Sequence, residues 1–282
     1  MSAPSRPPEW QVSLGRLFLS TFSPRLPKIR PLHTPGALAP FERLAIPRAG
    51  RGGSLAATWY PAAGEARGAV LLAHPWLEWG QAYFHRYGRL EALREAGYHA
   101  LTFDLSGIGG SDPPMDFGGR DLEDAFRELR ERAPGLPLHL WAVSAGGYWS
   151  HFFLARTDGF SGAMFEDVSP HLVEWSQRMR PSGWPVYATY RNLVPRAYRY
   201  FDIREHAPYL RVRAAAYVGG DQDPGIPQED IRELARLAGA ECRIVAGAGH
   251  LAAIKMAGPE VVRLALETFG RAERADPGAA QG

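Results

Sequence analysis

Short apolar runs alternate with amphipathic stretches along most of the chain. Two early runs, at 41–46 and 54–60, flank a glycine-rich turn and predict an antiparallel hairpin. The runs at 68–73, 99–103 and 138–143 are largely apolar, as in strands that are buried on both faces of a parallel sheet. A further apolar strand is predicted at 162–165, and two more strands at 214–218 and 241–245.

The stretches between these strands have apolar residues at helical spacing. We expect helices at about 83–96, 122–129, 147–156, 228–237 and 259–271. Strands and helices that alternate in this way imply a mostly parallel central sheet with helices on both faces. The predicted fold class is therefore α/β, with the antiparallel hairpin at the N-terminal edge of the sheet.

The region 168–210 interrupts this alternation. It shows no strand pattern, and it contains several prolines and many aromatic residues, among them Trp175, Trp184 and Tyr187. A segment of this length without a strand predicts a small helical lid over the ligand-binding edge of the sheet. Its aromatic side chains either line an apolar substrate pocket or attach the lid to the main body.

The chain divides into three parts. Residues 1–40 are an extension rich in proline and serine, 41–274 are the main domain with the lid, and 275–282 are predicted to be a disordered tail. Within the extension, residues 10–22 carry apolar residues that one face of a short helix would share: Trp10, Leu14, Leu17, Phe18 and Phe22. Such a helix either packs on the main domain or provides weak peripheral membrane association.

Composition narrows the class of protein. The chain has 282 residues, of which 45% are hydrophobic and 22% charged, as in ordinary soluble proteins. Its net charge is +2, and no stripe of basic and aromatic residues suggests a nucleic acid partner. Cys242 is the only cysteine, so no intramolecular disulfide is available. No apolar run reaches the ~20 residues of a membrane span, and the pattern at the N-terminus does not match a signal peptide. We predict a cytoplasmic protein.

The strand at 138–143 ends at Ser144 between small residues. Ala142 lies two positions before the serine and Gly146 two positions after it, as in a nucleophile elbow. In such a turn from strand to helix the backbone approaches itself at these two positions, so only small side chains fit. The serine is then held in a strained conformation, with its hydroxyl above the sheet edge and beside the N–H of Ala145.

Other unusual turns also follow strands. His74, Pro75 and Trp76 follow the strand at 68–73, and an Asp-x-x-Gly-x-Gly-x-Ser turn spans 104–111. Later, a Gly-x-x-Asp-x-x-x-Pro turn spans 220–227, and a glycine-rich turn ends at His250. Together with the elbow, these motifs resemble the α/β-hydrolase superfamily from about residue 41 to 271.

The resemblance implies a Ser-acid-His triad. Ser144 would attack an acyl carbon, and His250 would accept its proton, because a neutral serine hydroxyl is a poor nucleophile. By its position in the turn, Asp223 would orient the imidazole. Asp221 and Asp167 are the alternatives for the acid, and Asp221 also suits a role in holding the turn.

Two backbone N–H groups would stabilise the oxyanion. Ala145 provides one, and the residue after the family's usual glycine, here Trp76, provides the other. Pro75 occupies the glycine position and restricts the backbone there. We further assign Trp76, Trp175, Trp184 and Tyr187 to the substrate pocket.

The sequence therefore predicts a serine hydrolase that cleaves a carboxylic ester, or a thioester or amide, of a fairly apolar small molecule through an acyl-enzyme. An acyltransferase with the same triad and a non-catalytic ligand-binding protein are the alternatives. No cofactor or metal is implied, since no acids or histidines have metal-ligand spacing and no phosphate loop is present.

Overall fold

The computed structural model describes residues 4–14, 40–76, 80–114, 116 and 119–275. Within these residues, eight strands form a single sheet in the order β1-β2-β4-β3-β5-β6-β7-β8. Their bounds are Glu42–Pro47 (β1), Ser54–Tyr60 (β2), Gly68–Ala73 (β3), Tyr98–Phe103 (β4), Leu138–Val143 (β5), Phe160–Glu166 (β6), Ala214–Gly220 (β7) and Glu241–Val245 (β8).

The strand directions agree with the predicted class. β1 pairs antiparallel with β2, and β2 pairs antiparallel with β4, while the pairs from β4 through β3 to β8 are all parallel. The α/β prediction with an antiparallel N-terminal hairpin is thus confirmed. Because the parallel strands share one direction, the turns that follow them meet at one edge of the sheet.

Eight α-helices connect or follow the strands in the described part of the chain. They are Arg89–Glu95 (α1), Arg120–Arg132 (α2), Ala145–Leu154 (α3), Leu172–Met179 (α4), Trp184–Leu193 (α5), Pro195–Tyr200 (α6), Gln228–Ala238 (α7) and Ala253–Arg274 (α8). Leu122 and Leu234, from α2 and α7, belong to one buried cluster, whereas Leu90 and Leu264, from α1 and α8, belong to another. The two clusters lie on opposite faces of the sheet, because successive strand residues such as Leu140 and Trp141 contribute to different clusters.

The single helix predicted at 83–96 is wrong. The structure has a 3₁₀ helix, Gly80–His85, and then α1, which begins only at Arg89. Between them Tyr87 and Gly88 have positive φ values of 63° and 72°, so the chain changes direction before α1 starts. Apolar residues on a common stripe did not distinguish one continuous helix from two short ones.

Two other helix boundaries also differ from the prediction. α3 begins at Ala145, directly after the nucleophile candidate, and not at residue 147. α8 begins at Ala253, before the predicted start at residue 259, and contains a kink where Ala257 has the non-helical angles φ −130° and ψ 38°. Pro259 follows this kink, and proline disfavours a regular helix in the residues before it.

The N-terminal extension is described only at residues 4–14, of which 9–14 are helical. Val12 is buried against the main core, whereas Trp10 is 62% exposed. Leu14, which belongs to the predicted face, packs partly buried against the same core, so the described part of this helix contacts the main domain. The remainder of the predicted helix at 10–22, and the predicted tail beyond residue 275, lie outside the described residues.

The region 168–210 contains only helical elements. After α4 comes a 3₁₀ turn at Pro181–Gly183, then α5 and α6, and two further 3₁₀ turns at Ile203–Glu205 and Ala207–Tyr209. Val194 and Ala197 attach α5 and α6 to the core, because both side chains are completely buried.

Candidate active site

Ser144 occupies a sharp turn between β5 and α3. Its backbone angles are φ 49° and ψ −113°, a conformation that non-glycine residues rarely adopt. Two backbone hydrogen bonds hold this turn. The Ser144 N–H donates to the carbonyl of Glu166 at 2.8 Å, and the Tyr148 N–H donates to the carbonyl of Ser144 at 2.9 Å. These bonds stabilise a strained backbone that presents the serine side chain at the sheet edge.

The position of Gly146 explains the small residue in the elbow pattern. A Cβ atom built on this glycine would lie 2.3 Å from the carbonyl oxygen of Ala73 and 2.7 Å from that of His74. Its N–H donates to the His74 carbonyl at 3.2 Å. The close approach of α3 to the end of β3 thus requires glycine, and it joins the elbow to the turn that contains Trp76.

The structure brings Ser144, His250 and Asp223 together. The Ser144 Oγ lies 3.3 Å from Nε2 of His250, and Nδ1 of His250 lies 2.7 Å from Oδ2 of Asp223. Asp223 is buried, whereas the His250 side chain is 29% exposed. With the Nδ1 proton donated to Asp223, Nε2 of the neutral imidazole faces the serine hydroxyl and can accept its proton.

Asp223 is fixed by its own turn. Its second oxygen, Oδ1, accepts hydrogen bonds from the N–H groups of Gly225 and Ile226 at 2.8 and 3.0 Å. These two bonds orient the carboxylate so that Oδ2 points to His250.

The two alternative acids accept backbone hydrogen bonds from residues on either side of His250 in the sequence. Asp221 accepts a hydrogen bond from the Gly247 N–H at 2.7 Å, and Asp167 accepts one from the Leu251 N–H at 2.9 Å. Of the three carboxylates, Asp223 is the one with a hydrogen bond to the imidazole. The geometry therefore favours Asp223 as the triad acid.

The candidate oxyanion donors lie at adjoining turns. Ala145 is the first residue of α3, where backbone N–H groups have no partner within the helix. Trp76 follows Pro75 and packs half-buried against the core. The turn is braced by His74, whose Nε2 accepts the Leu105 N–H at 2.9 Å and whose Nδ1 donates to the Pro75 carbonyl at 2.6 Å. Burial lowers the pKa of His74, which favours this neutral form.

The four aromatic residues assigned to the substrate pocket have different surroundings. The Trp175 ring lies against Gly225, since a Cβ on that glycine would be 2.5 Å from the indole nitrogen. Trp184 is 58% exposed and borders an open surface groove, and Tyr187 is buried in the main core. The described contacts therefore bring Trp175 to the turn that carries Asp223, but they do not bring Trp184 or Tyr187 to Ser144.

Sequence reasoning missed a buried ion pair beneath the serine turn. Arg89 donates to Glu166 at 2.7 Å, and the Trp141 indole N–H donates to the other Glu166 oxygen at 2.7 Å. The signal in the sequence was Glu166 itself, an acid at the end of the otherwise apolar run that precedes Asp167. Its carbonyl oxygen accepts the Ser144 N–H, so the pair fixes the strand end that supports the elbow.

The described residues include no group of three or more His, Cys, Asp or Glu side chains that could hold a metal ion. They also include no helix that is both long and apolar enough to cross a membrane.

Comparison with known proteins identifies the fold. A family model of the alpha/beta hydrolase fold matches residues 68–182, from β3 through the elbow into the start of the helical insertion. No curated protein matches the chain in a sequence comparison.

Many solved structures resemble this one. An esterase from Pyrococcus furiosus has a TM-score of 0.71 at 16% identity, and the alignment covers 87% of this chain and 96% of that one. A carboxyl esterase from Bacillus coagulans, in complex with glycerol, has a TM-score of 0.64 at 16% identity, with 82% and 98% covered. A bromoperoxidase from Bacillus anthracis has a TM-score of 0.57 at 16% identity, with 82% and 99% covered.

The protein has the α/β-hydrolase fold, as the motifs in the sequence predicted. The structural relatives share this architecture although they include both esterases and a bromoperoxidase, so the reaction has to be argued from the site.

Proposed function

We propose that the protein is a serine hydrolase that cleaves a carboxylic ester of a fairly apolar small molecule through an acyl-enzyme. The observation that carries this proposal is the hydrogen-bonded series from Ser144 through His250 to Asp223, at 3.3 and 2.7 Å. The series begins at a serine with a strained backbone. Such strain costs free energy and occurs mostly at functional sites, which supports a catalytic role for Ser144.

The geometry supports a two-step reaction. Ser144 Oγ attacks the acyl carbon while Nε2 of His250 takes the hydroxyl proton, and the carbonyl oxygen becomes an oxyanion. His250 then protonates the departing alcohol, which leaves an acyl-serine. Water donates a proton to the same Nε2 and attacks the acyl carbon. His250 then returns this proton to Ser144 Oγ as the bond between Oγ and the acyl carbon breaks, which releases the acid and restores the serine.

The Ala145 N–H and the Trp76 N–H are our candidates for the oxyanion hole. The positive end of the α3 dipole also favours the developing negative charge at this place. Each such donor contributes on the order of 10²–10³ in rate in other hydrolases.

We further propose that α4 belongs to a lid that borders the substrate site. Trp175 lies against Gly225, and Arg178 donates to the Gly225 carbonyl at 3.2 Å and to Asp230 at 2.5 Å. These contacts attach α4 to the turn that carries Asp223. We assign Trp76 and Trp175 to the apolar part of the substrate pocket.

We also propose that the protein is located in the cytoplasm.

A fluorophosphonate probe tests the central proposal, because it labels only serines that are activated as nucleophiles. The parent should be labelled at Ser144, as mapped by peptide mass, and should hydrolyse p-nitrophenyl esters. Ser144→Ala and His250→Ala should abolish both signals. Ser182→Ala, which alters an exposed serine between α4 and α5, is the matched control and should behave as the parent.

Absence of labelling in correctly folded parent protein would contradict the proposal. Labelling together with products that form only in the presence of an added acceptor, an ester from an alcohol or an amide from an amine, would instead identify an acyltransferase, which uses the same three residues.

A further inference from the structure

Three carboxylates hold the turn that contains His250, and the reaction just described uses only one of them. Asp223 receives the imidazole N–H, Asp221 receives the Gly247 N–H, and Asp167 receives the Leu251 N–H. Asp221 is partly exposed at the start of its loop, whereas Asp167 is 1% exposed. A buried carboxyl next to a catalytic base requires a specific reason, since burial of a charge is costly.

Asp167 joins the nucleophile turn to the base turn. It directly follows Glu166, whose carbonyl accepts the Ser144 N–H at 2.8 Å, and its own N–H donates to the Val218 carbonyl at 2.9 Å. Its side chain then reaches Leu251, the residue after His250. A change at Asp167 therefore acts on the distance between the serine and the imidazole.

Both ends of this contact have unusual backbone angles. Asp167 has φ 48° and Leu251 has φ 60°, in the left-handed region that non-glycine residues seldom occupy. The hydrogen bond between them stabilises the strained conformation of the turn. It therefore fixes the direction in which the His250 side chain points from the backbone.

The charged and titratable groups around Asp167 come from five segments: β6, the 3₁₀ helix Gly80–His85, α1, and the turns after β7 and β8. His250 favours its ionised form, whereas Glu166 and Asp223 oppose it, and burial is the largest influence. The Tyr83 hydroxyl also senses the Asp167 charge, and Arg89 is hydrogen-bonded to Glu166. Together these effects raise the pKa of Asp167 to about 7, close to the range in which a histidine base works.

We propose that Asp167 is a positioning residue for His250, which holds the base turn through Leu251 and, when ionised, stabilises the imidazolium that forms during attack on the substrate. This inference rests on the proposed hydrolase reaction. It assigns to Asp167 a role different from that of Asp223, which touches the imidazole directly.

Stabilisation of the cation follows from reciprocity. A positive charge on His250 favours the ionised carboxylate of Asp167, so the ionised carboxylate must favour the imidazolium by the same free energy. Asp167 should thus stabilise the imidazolium of His250 more strongly above neutral pH, where Asp167 has lost its proton.

The decisive variant is Asp167→Asn, which keeps a side-chain oxygen for the Leu251 N–H but cannot ionise. We expect the NMR titration midpoint of the His250 imidazole to fall by roughly half a unit or more. In the parent, the pH profile of fluorophosphonate labelling should show two ionisations between pH 5 and 9, those of His250 and Asp167. The profile of Asp167→Asn should lack the second. Asp167→Ala removes the oxygen as well and should slow labelling about tenfold further, the usual scale for a lost buried hydrogen bond.

Asp112→Asn is the matched control, because it alters a carboxylate that also accepts one backbone N–H, that of Ser54 at 2.8 Å, but lies beside β2, on the opposite side of the sheet from β7 and β8. It should leave the His250 midpoint and the shape of the labelling profile unchanged. An Asp167→Asn protein with the midpoint and profile of the parent would overturn the proposal.

The two readouts separate this inference from the proposed reaction. If the parent is not labelled, the hydrolase proposal fails, but the imidazole titration still tests whether Asp167 acts on His250. If Asp167→Asn does not fold, the parent alone suffices: its His250 signal should report two ionisations, and a single ionisation would overturn the inference.

Discussion

The guanidinium of Arg89 and the carboxylate of Glu166 form an ion pair at 2.7 Å in which both side chains are completely buried. Arg89 comes from α1 and Glu166 from the end of β6, so the pair joins a helix to the strand that supports the Ser144 turn. Trp141 completes the surroundings of the carboxylate.

Loss of one partner should be costly. We expect Arg89→Met to lower the free energy of unfolding by about 3–5 kcal/mol, because Glu166 would remain buried without a counter-charge. Urea unfolding followed by tryptophan fluorescence would measure the change. Arg211→Met is the control: its ion pair with Asp158, at 2.9 Å, is largely exposed and should contribute at most about 1 kcal/mol. Equal losses in the two variants would contradict the argument.

The close approach at Gly146 gives a second prediction. In Gly146→Ala the new methyl group would meet the Ala73 carbonyl at 2.3 Å, so α3 or the end of β3 must move. We expect fluorophosphonate labelling to slow about 100-fold, on the scale of a displacement of about 1 Å at a reacting site. Gly258→Ala, at a glycine with open space around it, should label as the parent does.

Asp223 and Asp221 allow a test of the triad acid. In Asp223→Asn the amide oxygen can still accept the Gly225 and Ile226 N–H groups, but the amide nitrogen would face His250 and favour the wrong tautomer. We expect kcat/KM for an activated ester to fall by about 10³–10⁴. Asp221→Asn should cost less than tenfold, and a reversed order of the two effects would identify Asp221 as the acid.

Much of the fold follows from local patterns that the sequence displays. β2, β3, β5 and β8 begin and end at the predicted residues. For β3 and β5 the reason is that a fully buried strand is an apolar run with clear borders. The turns after the strands were predictable as a set, since parallel strands bring their carboxyl ends to one edge. Ser144, His250 and Asp223 could therefore be proposed together before any distance was known.

The rest depends on contacts between distant residues. The break between the 3₁₀ helix and α1 depends on positive φ angles at Tyr87 and Gly88, which the spacing of apolar residues does not encode. The interaction of Asp167 with Leu251 joins positions 84 residues apart. Trp184 and Tyr187 have similar apolar character, yet one is exposed and the other buried, because composition does not determine which face of α5 meets the core.

The elbow helix gives the last prediction, which concerns pH. His151 of α3 is completely buried; its Nδ1 lies 2.7 Å from the Gly147 carbonyl and its Nε2 lies 2.6 Å from the Tyr217 hydroxyl. Burial lowers its pKa to about 3, so the folded protein keeps this histidine neutral while the unfolded chain takes up a proton below about pH 6.5.

A base with a lowered pKa stabilises the fold above its unfolded pKa, and that stabilisation is lost as the pH falls towards the folded value. His151→Gln removes this titration. From pH 8 to pH 5 the unfolding free energy of the parent should therefore fall by about 2 kcal/mol more than that of the variant. Urea unfolding of both proteins at the two pH values measures this difference, and a constant gap would show that His151 titrates alike in the folded and unfolded chain.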